Sequence, residues 1–201
     1  MDTFLTHRAD RATVRVISVL AGAVALALAV GSVAAAISFA WAPSVTTTLL
    51  ATAPAAATAP VQTAAFDSVT LTTGTLSPGA RAATAAGHLA VALTAVLVGG
   101  ALAWLLLAVS AGRPLPRGLS RMLLVAGFAL TLGPLLGAGL LGLGSMQAAA
   151  ELNPSVGGIL LVGFELSAWG VAIPVTGFGV LALAFVFTHL RTLQRDTEGL
   201  V

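Results

Sequence analysis

The chain has 201 residues, of which 58% are hydrophobic and only 8% are charged, and its mean hydropathy is +1.02. A soluble domain carries about 25% charged residues, so the composition excludes a chain that covers its own surface in water and indicates a lipid environment. The chain has no cysteine, which excludes disulfides, thiolate metal sites and thiol redox catalysis.

Four apolar stretches are each long enough to cross a bilayer, which takes about 20 helical residues for a core of about 30 Å. We therefore predict an all-α, polytopic membrane protein whose four transmembrane helices form a bundle. The predicted helices cover residues 16–41, 83–109, 122–145 and 157–189.

A polar lead, residues 1–15, precedes the first apolar stretch. The rival interpretation of that stretch is a signal peptide, since Ala40-Trp41-Ala42 has the small-x-small form of a cleavage site. A spanning helix is favoured because the run is longer than a usual signal-peptide core and Pro43 follows the site directly.

Residues 42–82 form a predicted extracytoplasmic loop that is rich in threonine, alanine and proline. Prolines at this spacing end helices. Within the loop, Val69–Leu76 is β-branched and alternating, which is typical of a short strand or hairpin. The alternative is an extended loop without a core.

Three shorter segments complete the predicted layout. Residues 110–121 form a cytoplasmic turn, and residues 146–156 an extracytoplasmic turn in which Asn153-Pro154-Ser155 is typical of a helix start. Residues 190–201 form a tail.

The arginines give the orientation. The lead and the 110–121 turn carry three each and the tail carries two, whereas the 42–82 loop carries one and the 146–156 turn none. Positively charged loops stay in the cytoplasm, so we predict a multi-pass protein of the plasma membrane with both termini cytoplasmic. Because the arginines lie at helix ends rather than on one basic face, direct nucleic-acid binding is not predicted.

Glu165 and His88 are the candidate binding residues. A carboxylate inside a span is costly and usually faces a bundle interior or water. Both residues lie about one to two turns in from the predicted outer ends of their helices, so they can pair and form a polar site near the outer leaflet. The alternative is that Glu165 is neutral, or bonds to a serine or a backbone carbonyl, and only orients its helix.

Glycine and proline mark candidate packing and hinge positions. Gly133 and Gly137 are four residues apart and allow another helix to approach, either within the bundle or in a dimer. Pro174, with Gly170 one turn before it, predicts either a hinge or a fixed bend in the fourth helix.

The cytoplasmic arginines are predicted to fix topology while contacting anionic lipid head groups, or to dock an acidic partner. The arginines predicted to make these contacts are Arg113, Arg117, Arg121, Arg191 and Arg195. The sequence contains no phosphate-loop, dinucleotide, zinc-protease or CxxC motif and no persuasive catalytic set, so we predict no cofactor, no metal and no enzymatic activity.

Two segments carry a resemblance to a known family. Leu105–Leu130, with its short G-x-P turn, and the tail Phe187–Val201 resemble the DUF2975 family of bacterial four-span membrane proteins. That family has no established activity, but its members are often encoded beside small helix-turn-helix regulators. The resemblance therefore implies a sensory or sequestering role with a cytosolic DNA-binding partner.

We accordingly expect a non-enzymatic sensory or regulatory membrane protein that holds a cytosolic partner. The alternative is a subunit of a small transporter or channel, with Glu165 as its intramembrane polar site and homo-oligomerisation through the third helix. An intramembrane enzyme is disfavoured for want of catalytic groups.

Overall fold

The computed structural model describes residues 8–52, 66–111, 118–163 and 168–198. Within these ranges lie four long helices, a 3₁₀ turn and two strands. In chain order they are α1 (Arg8–Trp41), β1 (Val45–Thr52), β2 (Phe66–Thr73), α2 (Pro78–Ser110), α3 (Leu119–Leu152), the 3₁₀ turn (Asn153–Val156) and α4 (Ala168–Glu198).

Three of the helices are long and apolar enough to cross a membrane. In the described part of the chain these stretches are Ala12–Trp41, Pro78–Ala108 and Arg121–Val156, with 30, 31 and 36 residues. The fourth apolar helical stretch, Gly170–Val186, is shorter. The expectation of a mostly helical chain with a small hairpin is confirmed, but the fourth apolar helix is shorter than the 157–189 stretch predicted.

The boundaries around the turn between α3 and α4 differ from those predicted. Helix α3 continues to Leu152 rather than ending at residue 145, because the alanine-rich stretch 146–152 favours helix. Gly157 and Gly158 then adopt positive φ angles of 75° and 78°, a left-handed conformation that ends helical structure. Helix α4 therefore begins at Ala168, not at residue 157.

The start of α2 is capped by Ser77, which precedes it, and by Glu151 of α3. Ser77 Oγ accepts a hydrogen bond from the Ala80 amide at 3.2 Å, and Pro78 occupies the first turn, where its missing N–H costs nothing. Glu151, at the end of α3, accepts a hydrogen bond from the Ser77 amide at 2.8 Å. A carboxylate at a helix N-terminus is favourable, so this bond ties the end of α3 to the start of α2.

The loop predicted at 42–82 contains an antiparallel hairpin. Strands β1 and β2 pair from Val45↔Thr73 to Thr52↔Phe66. Val45 and Leu49 are buried on one face. On the opposite face, threonine hydroxyls hydrogen-bond across the strands, Thr46 with Thr72 at 3.1 Å and Thr48 with Thr70 at 3.3 Å. The predicted short hairpin is confirmed, but its second strand covers Phe66–Thr73 rather than Val69–Leu76. Side chains alternate between an apolar face and a threonine face.

The chain divides into two compact units, which we describe separately. The first, the helix unit, comprises Met1–Gly31, Val91–Leu135 and Ala168–Val201, and the second, the hairpin unit, comprises Ser32–Ala90 and Leu136–Ser167. The hairpin unit has its own core, made of Val45, Leu49, Ala51, Leu76, Ala148, Ala149, Leu152 and Leu160.

Small residues make the helix contacts of the helix unit. Ser18 Oγ donates to the Ala103 carbonyl at 2.9 Å, which satisfies a fully buried hydroxyl. A Cβ on Gly99 would overlap Ala25, so α1 and α2 approach each other closely. The same holds where Gly133 faces Thr94, Gly127 faces Leu181 and Gly177 faces Thr131.

A side-chain amide fixes the segment after α3. Asn153 Nδ2 donates to the Leu160 carbonyl at 3.1 Å, and the Leu160 amide donates back to Asn153 Oδ1 at 2.9 Å. Leu160 is thereby held in the core and in a bridge to Ala51, while the Leu161 amide donates to the Leu50 carbonyl at 2.9 Å. The turn thus adds a short third segment to one end of β1.

We expect Asn153→Ala to lower the stability of the purified protein by about 1–2 kcal/mol, because two backbone groups of Leu160 lose their partner. Asn153→Asp keeps the acceptor for the Leu160 amide but loses the donor to the Leu160 carbonyl. We expect it to lower stability less than Asn153→Ala does, or by as much where the carboxylate repels the Leu160 carbonyl. Thermal unfolding in detergent measures both. Ser155→Ala, at an exposed position of the same 3₁₀ turn, is the control. Equal melting of Asn153→Ala and Ser155→Ala would contradict the clamp.

Candidate functional site: a cavity beside the hairpin

A cavity of about 500 Å³ lies within the hairpin unit. It is walled by β1, by Phe39 near the end of α1, by residues in the first three turns of α2, by residues in the second half of α3, and by Gly163. The described lining residues are Phe39, Thr46, Thr47, Thr48, Leu49, Leu50, Thr84, His88, Ala138, Leu141, Gly142, Ser145 and Gly163.

One wall of the cavity is the edge of β1 that faces away from β2. The N–H and C=O of one strand residue point to the same side, and the side alternates along the strand. The Leu50 carbonyl accepts a hydrogen bond from Leu161, not from β2. The backbone groups of Thr46 and Thr48 therefore also point away from β2, and among the described residues they have no backbone partner.

The imidazole of His88 is a second polar feature of the cavity. Its ring stacks on Phe39 with 5.8 Å between centroids and 30° between planes. His88 forms no hydrogen bond with any described residue, yet no fully buried side-chain nitrogen or oxygen of the described residues lacks a partner. The ring nitrogens of this half-buried residue therefore remain accessible from the cavity.

The other hydroxyls of the lining are mostly used within their own helices. Thr84 Oγ1 donates to the Ala80 carbonyl at 2.9 Å, and Ser145 Oγ donates to the Gly142 carbonyl at 2.8 Å. Thr47, half-buried on β1, forms no side-chain hydrogen bond with a described residue. The available hydrogen-bonding groups are therefore the β1 edge, Thr47 and His88.

Close packing of α2 on α3 holds His88 in place. A Cβ on Gly144 would overlap the Thr84 hydroxyl, and one on Gly87 would lie 2.7 Å from Leu141 Cγ. Thr84 and His88 are one helical turn apart, so both face the same side of α2. The glycines thereby set the distance between the two helices that wall the cavity.

Of the predicted pair of Glu165 and His88, the structure describes only His88. His88 lies in the cavity, whereas Glu165 lies outside the described residues, so their pairing stays a prediction.

Arg81 lies in the first turn of α2, three residues before Thr84, and it does not line the cavity. Its guanidinium donates to the Ala42 carbonyl at 2.8 Å and to the Gly74 carbonyl at 3.3 Å. It thus ties the entry and exit of the hairpin to α2.

The packing and hinge residues lie outside the cavity lining. Gly133 faces Thr94 of α2 in the helix unit, and Gly137 is buried in the hairpin unit. Pro174 is buried inside α4, and Gly170 is half-buried in the first turn of the same helix. The contact of Gly133 is made within the chain.

The arginines are placed as follows. Arg121 is exposed near the start of α3 and lines an apolar groove of about 350 Å³ with residues such as Val96, Gly100 and Val125. Arg191 and Arg195 belong to the last turns of α4. Arg113 and Arg117 lie outside the described residues.

Sequence reasoning missed β1, Phe39 and Thr84 as site components. The signal for β1 was present in VTTTLLAT (Val45–Thr52), which is rich in β-branched residues. Nothing in the sequence indicates that its free edge borders a cavity, because that depends on where α2 and α3 lie.

Comparison with protein-family models, with curated proteins and with solved structures finds no match. The resemblance to the DUF2975 family therefore stays a prediction.

The cavity combines neutral hydrogen-bonding groups with apolar side chains. None of its described lining residues carries a formal charge at neutral pH, apart from the titratable His88. The backbone edge supplies both donors and acceptors, and Phe39, Leu49 and Leu141 supply apolar surface. The described lining thus offers both hydrogen-bonding groups and apolar surface to a ligand.

We expect Gly144→Ala to push α2 away from α3 and to destabilise the protein by about 1–3 kcal/mol, because the new methyl group meets the Thr84 hydroxyl and, at 3.0 Å, its backbone nitrogen. Gly139→Ala, in the same helix with nothing within 4 Å of the new Cβ, should leave stability unchanged or slightly raised. Thermal unfolding in detergent is the measurement.

Adding Thr84→Ala to Gly144→Ala should restore part of the loss, since it removes the hydroxyl but not the backbone contact. Equal stability of Gly144→Ala and Gly139→Ala would show that this close approach does not hold the cavity wall.

Proposed function

We propose that the chain is a non-enzymatic, multi-pass protein of the plasma membrane with a sensory or regulatory role. Its four apolar helical stretches cross the bilayer as a bundle, with the strands β1 and β2 outside and the arginine-rich segments inside. The hairpin cavity receives an extracytoplasmic signal, and the 110–121 turn with the tail holds a cytosolic partner, such as a small DNA-binding regulator.

The length and hydropathy of the described helices support membrane insertion. Each of the three longest stretches exceeds the roughly 20 residues that a bilayer core requires. Many large apolar side chains are also exposed on the helices, among them Val19, Leu26, Leu93, Phe128 and Phe185. Such surfaces are stable when lipid covers them.

The single observation that carries the sensory proposal is the cavity with its free strand edge, accessible imidazole and apolar walls. Polar groups that the protein does not itself use are costly in a concave, partly apolar site unless water or a ligand meets them. Their presence beside an extramembrane hairpin supports a receiving site there.

The arginine distribution supports the cytoplasmic placement of the arginine-rich segments. Eight of the nine arginines belong to the lead, the 110–121 turn and the tail. Arg121, exposed beside an apolar groove, is suited to contact an anionic head group while the groove contacts acyl chains. Arg81 is the exception, and its guanidinium donates hydrogen bonds to the carbonyls of Ala42 and Gly74.

Because the chain lacks cysteine, orientation can be tested with single-cysteine variants. We expect a membrane-impermeant maleimide added to intact cells to label Thr70→Cys, on the exposed face of the hairpin, but not Ala111→Cys, exposed after α2. Both should be labelled after permeabilisation, which is the control for reactivity. Labelling of Ala111→Cys in intact cells, with Thr70→Cys protected, would overturn the orientation.

The partner can be sought by crosslinking in native membranes and purification of the full chain. We expect a cytosolic DNA-binding protein to co-purify and to be lost on combining Arg191→Ala with Arg195→Ala, because the docking surface loses two positive charges. Thr70→Ala, on the hairpin, is the control and should retain the partner.

If purified protein in vesicles instead carries ions or solutes, and Glu165→Gln abolishes that flux, the transporter alternative replaces the regulatory one.

A further inference from the structure

We infer that the free edge of β1 binds an extended, uncharged peptide of another polypeptide by strand addition. This inference deepens the proposed function, because it names the ligand class of the proposed receiving site. It stands on the edge geometry, the size of the cavity and the chemistry of its walls.

The edge presents a regular row of backbone groups. Thr46 and Thr48 each direct one N–H and one C=O away from β2, two residues apart, which is the repeat that a pairing strand matches. The same edge already pairs at its far end, where Leu161 donates to Leu50 and Leu160 bridges Ala51. A peptide paired with Thr46 and Thr48 would lie along the same edge of β1.

The cavity has the size of a short strand. One strand residue occupies a slab of about 3.4 Å by 4.8 Å by 10 Å, or roughly 160 Å³. At about 500 Å³, the cavity next to the edge takes about three such residues. Three residues suffice to meet the backbone groups of Thr46 and Thr48 from one side.

The walls suit alternating side chains. Side chains of an added strand point alternately to the two faces of the sheet. On the face shared with Thr47 and Leu49 they meet the cavity walls formed by the helices, where His88 supplies accessible nitrogens and Phe39 and Leu141 supply apolar surface. The described lining offers no carboxylate or guanidinium, so no described lining residue would pair with a charged side chain at these positions.

A matched pair of proline variants isolates the edge. Thr48 and Thr70 lie opposite each other and share one side-chain hydrogen bond, so Thr48→Pro and Thr70→Pro both lose that bond. Because the amides of both residues point away from the partner strand, neither proline removes a ladder hydrogen bond. Only Thr48→Pro blocks the edge that lines the cavity.

The probe is an acetylated, amidated hexapeptide of alternating threonine and valine that carries an uncharged dye. Its binding to the full chain in nanodiscs is measured by fluorescence anisotropy, with empty nanodiscs subtracted. The same peptide methylated at every amide nitrogen is the ligand control, because it cannot donate the pairing hydrogen bonds. Melting temperatures of both proline variants confirm that they fold.

We expect saturable binding of the unmethylated peptide, weakened about tenfold or more by Thr48→Pro and changed less than about twofold by Thr70→Pro. The methylated peptide should bind at least about tenfold more weakly than the unmethylated one. No saturable binding below about 1 mM, equal binding of the two peptides, or equal loss in the two variants overturns the inference.

If Thr48→Pro does not fold, Thr46→Pro replaces it, with Thr72→Pro as its matched control on the opposite strand. Failure of the peptide probe while Thr70→Cys remains labelled from outside would remove the peptide as ligand and leave the orientation standing. If Ala111→Cys rather than Thr70→Cys is labelled in intact cells while the peptide still binds, the orientation falls and the peptide remains the ligand.

Discussion

The close approach of α2 to α3 is the constraint on which the hairpin unit depends. Helices surrounded by lipid gain little from the hydrophobic effect when they associate, so contact area between small residues has to hold them. Gly144 against Thr84 and Gly87 against Leu141 provide that contact. The resulting spacing sets the walls of the cavity and aims His88 into it, and it brings Glu151 to the amide of Ser77. Were α2 and α3 further apart, neither the cap nor the cavity would form.

Hydroxyl groups are the second element of this packing. Buried hydroxyls in the described helices are bonded to carbonyls, as Thr131 is to Gly127 and Ser18 is to Ala103. The hydroxyl of a back-bonded threonine donates to a carbonyl of its own helix, so the side chain packs against a glycine of the neighbouring helix without leaving an unsatisfied donor. Against this background of satisfied hydroxyls, the open backbone edge of Thr46 and Thr48 stands out as polar surface left for another molecule.

How far the sequence predicts this arrangement varies with the kind of signal. Long apolar runs predict helices because length and hydropathy are local properties, and three of the four described helices have the expected character. The late start of α4 was not predicted because the apolar residues at 157–163 serve a bridge to β1 instead of a helix. Hydropathy does not distinguish those uses, whereas the adjacent Gly157 and Gly158 do. His88 was found because a titratable residue is conspicuous in an apolar helix. The strand edge was not, since its availability depends on contacts between residues about 110 positions apart, such as Leu50 with Leu161.

The size of the hairpin bears on how a ligand would act. Two strands alone are marginally stable, and here they are supported by Leu76, by the end of α3 and by the segment that Asn153 holds. An added strand would extend the sheet along the edge of β1 that borders the cavity, and any ligand that binds only the folded hairpin stabilises it by mass action. Arg81 connects both ends of the hairpin to α2 through the carbonyls of Ala42 and Gly74. On the proposed function, occupancy of the edge would therefore change the stability of a unit that includes the ends of α1, α2 and α3, which is where an extracytoplasmic signal has to reach the helices.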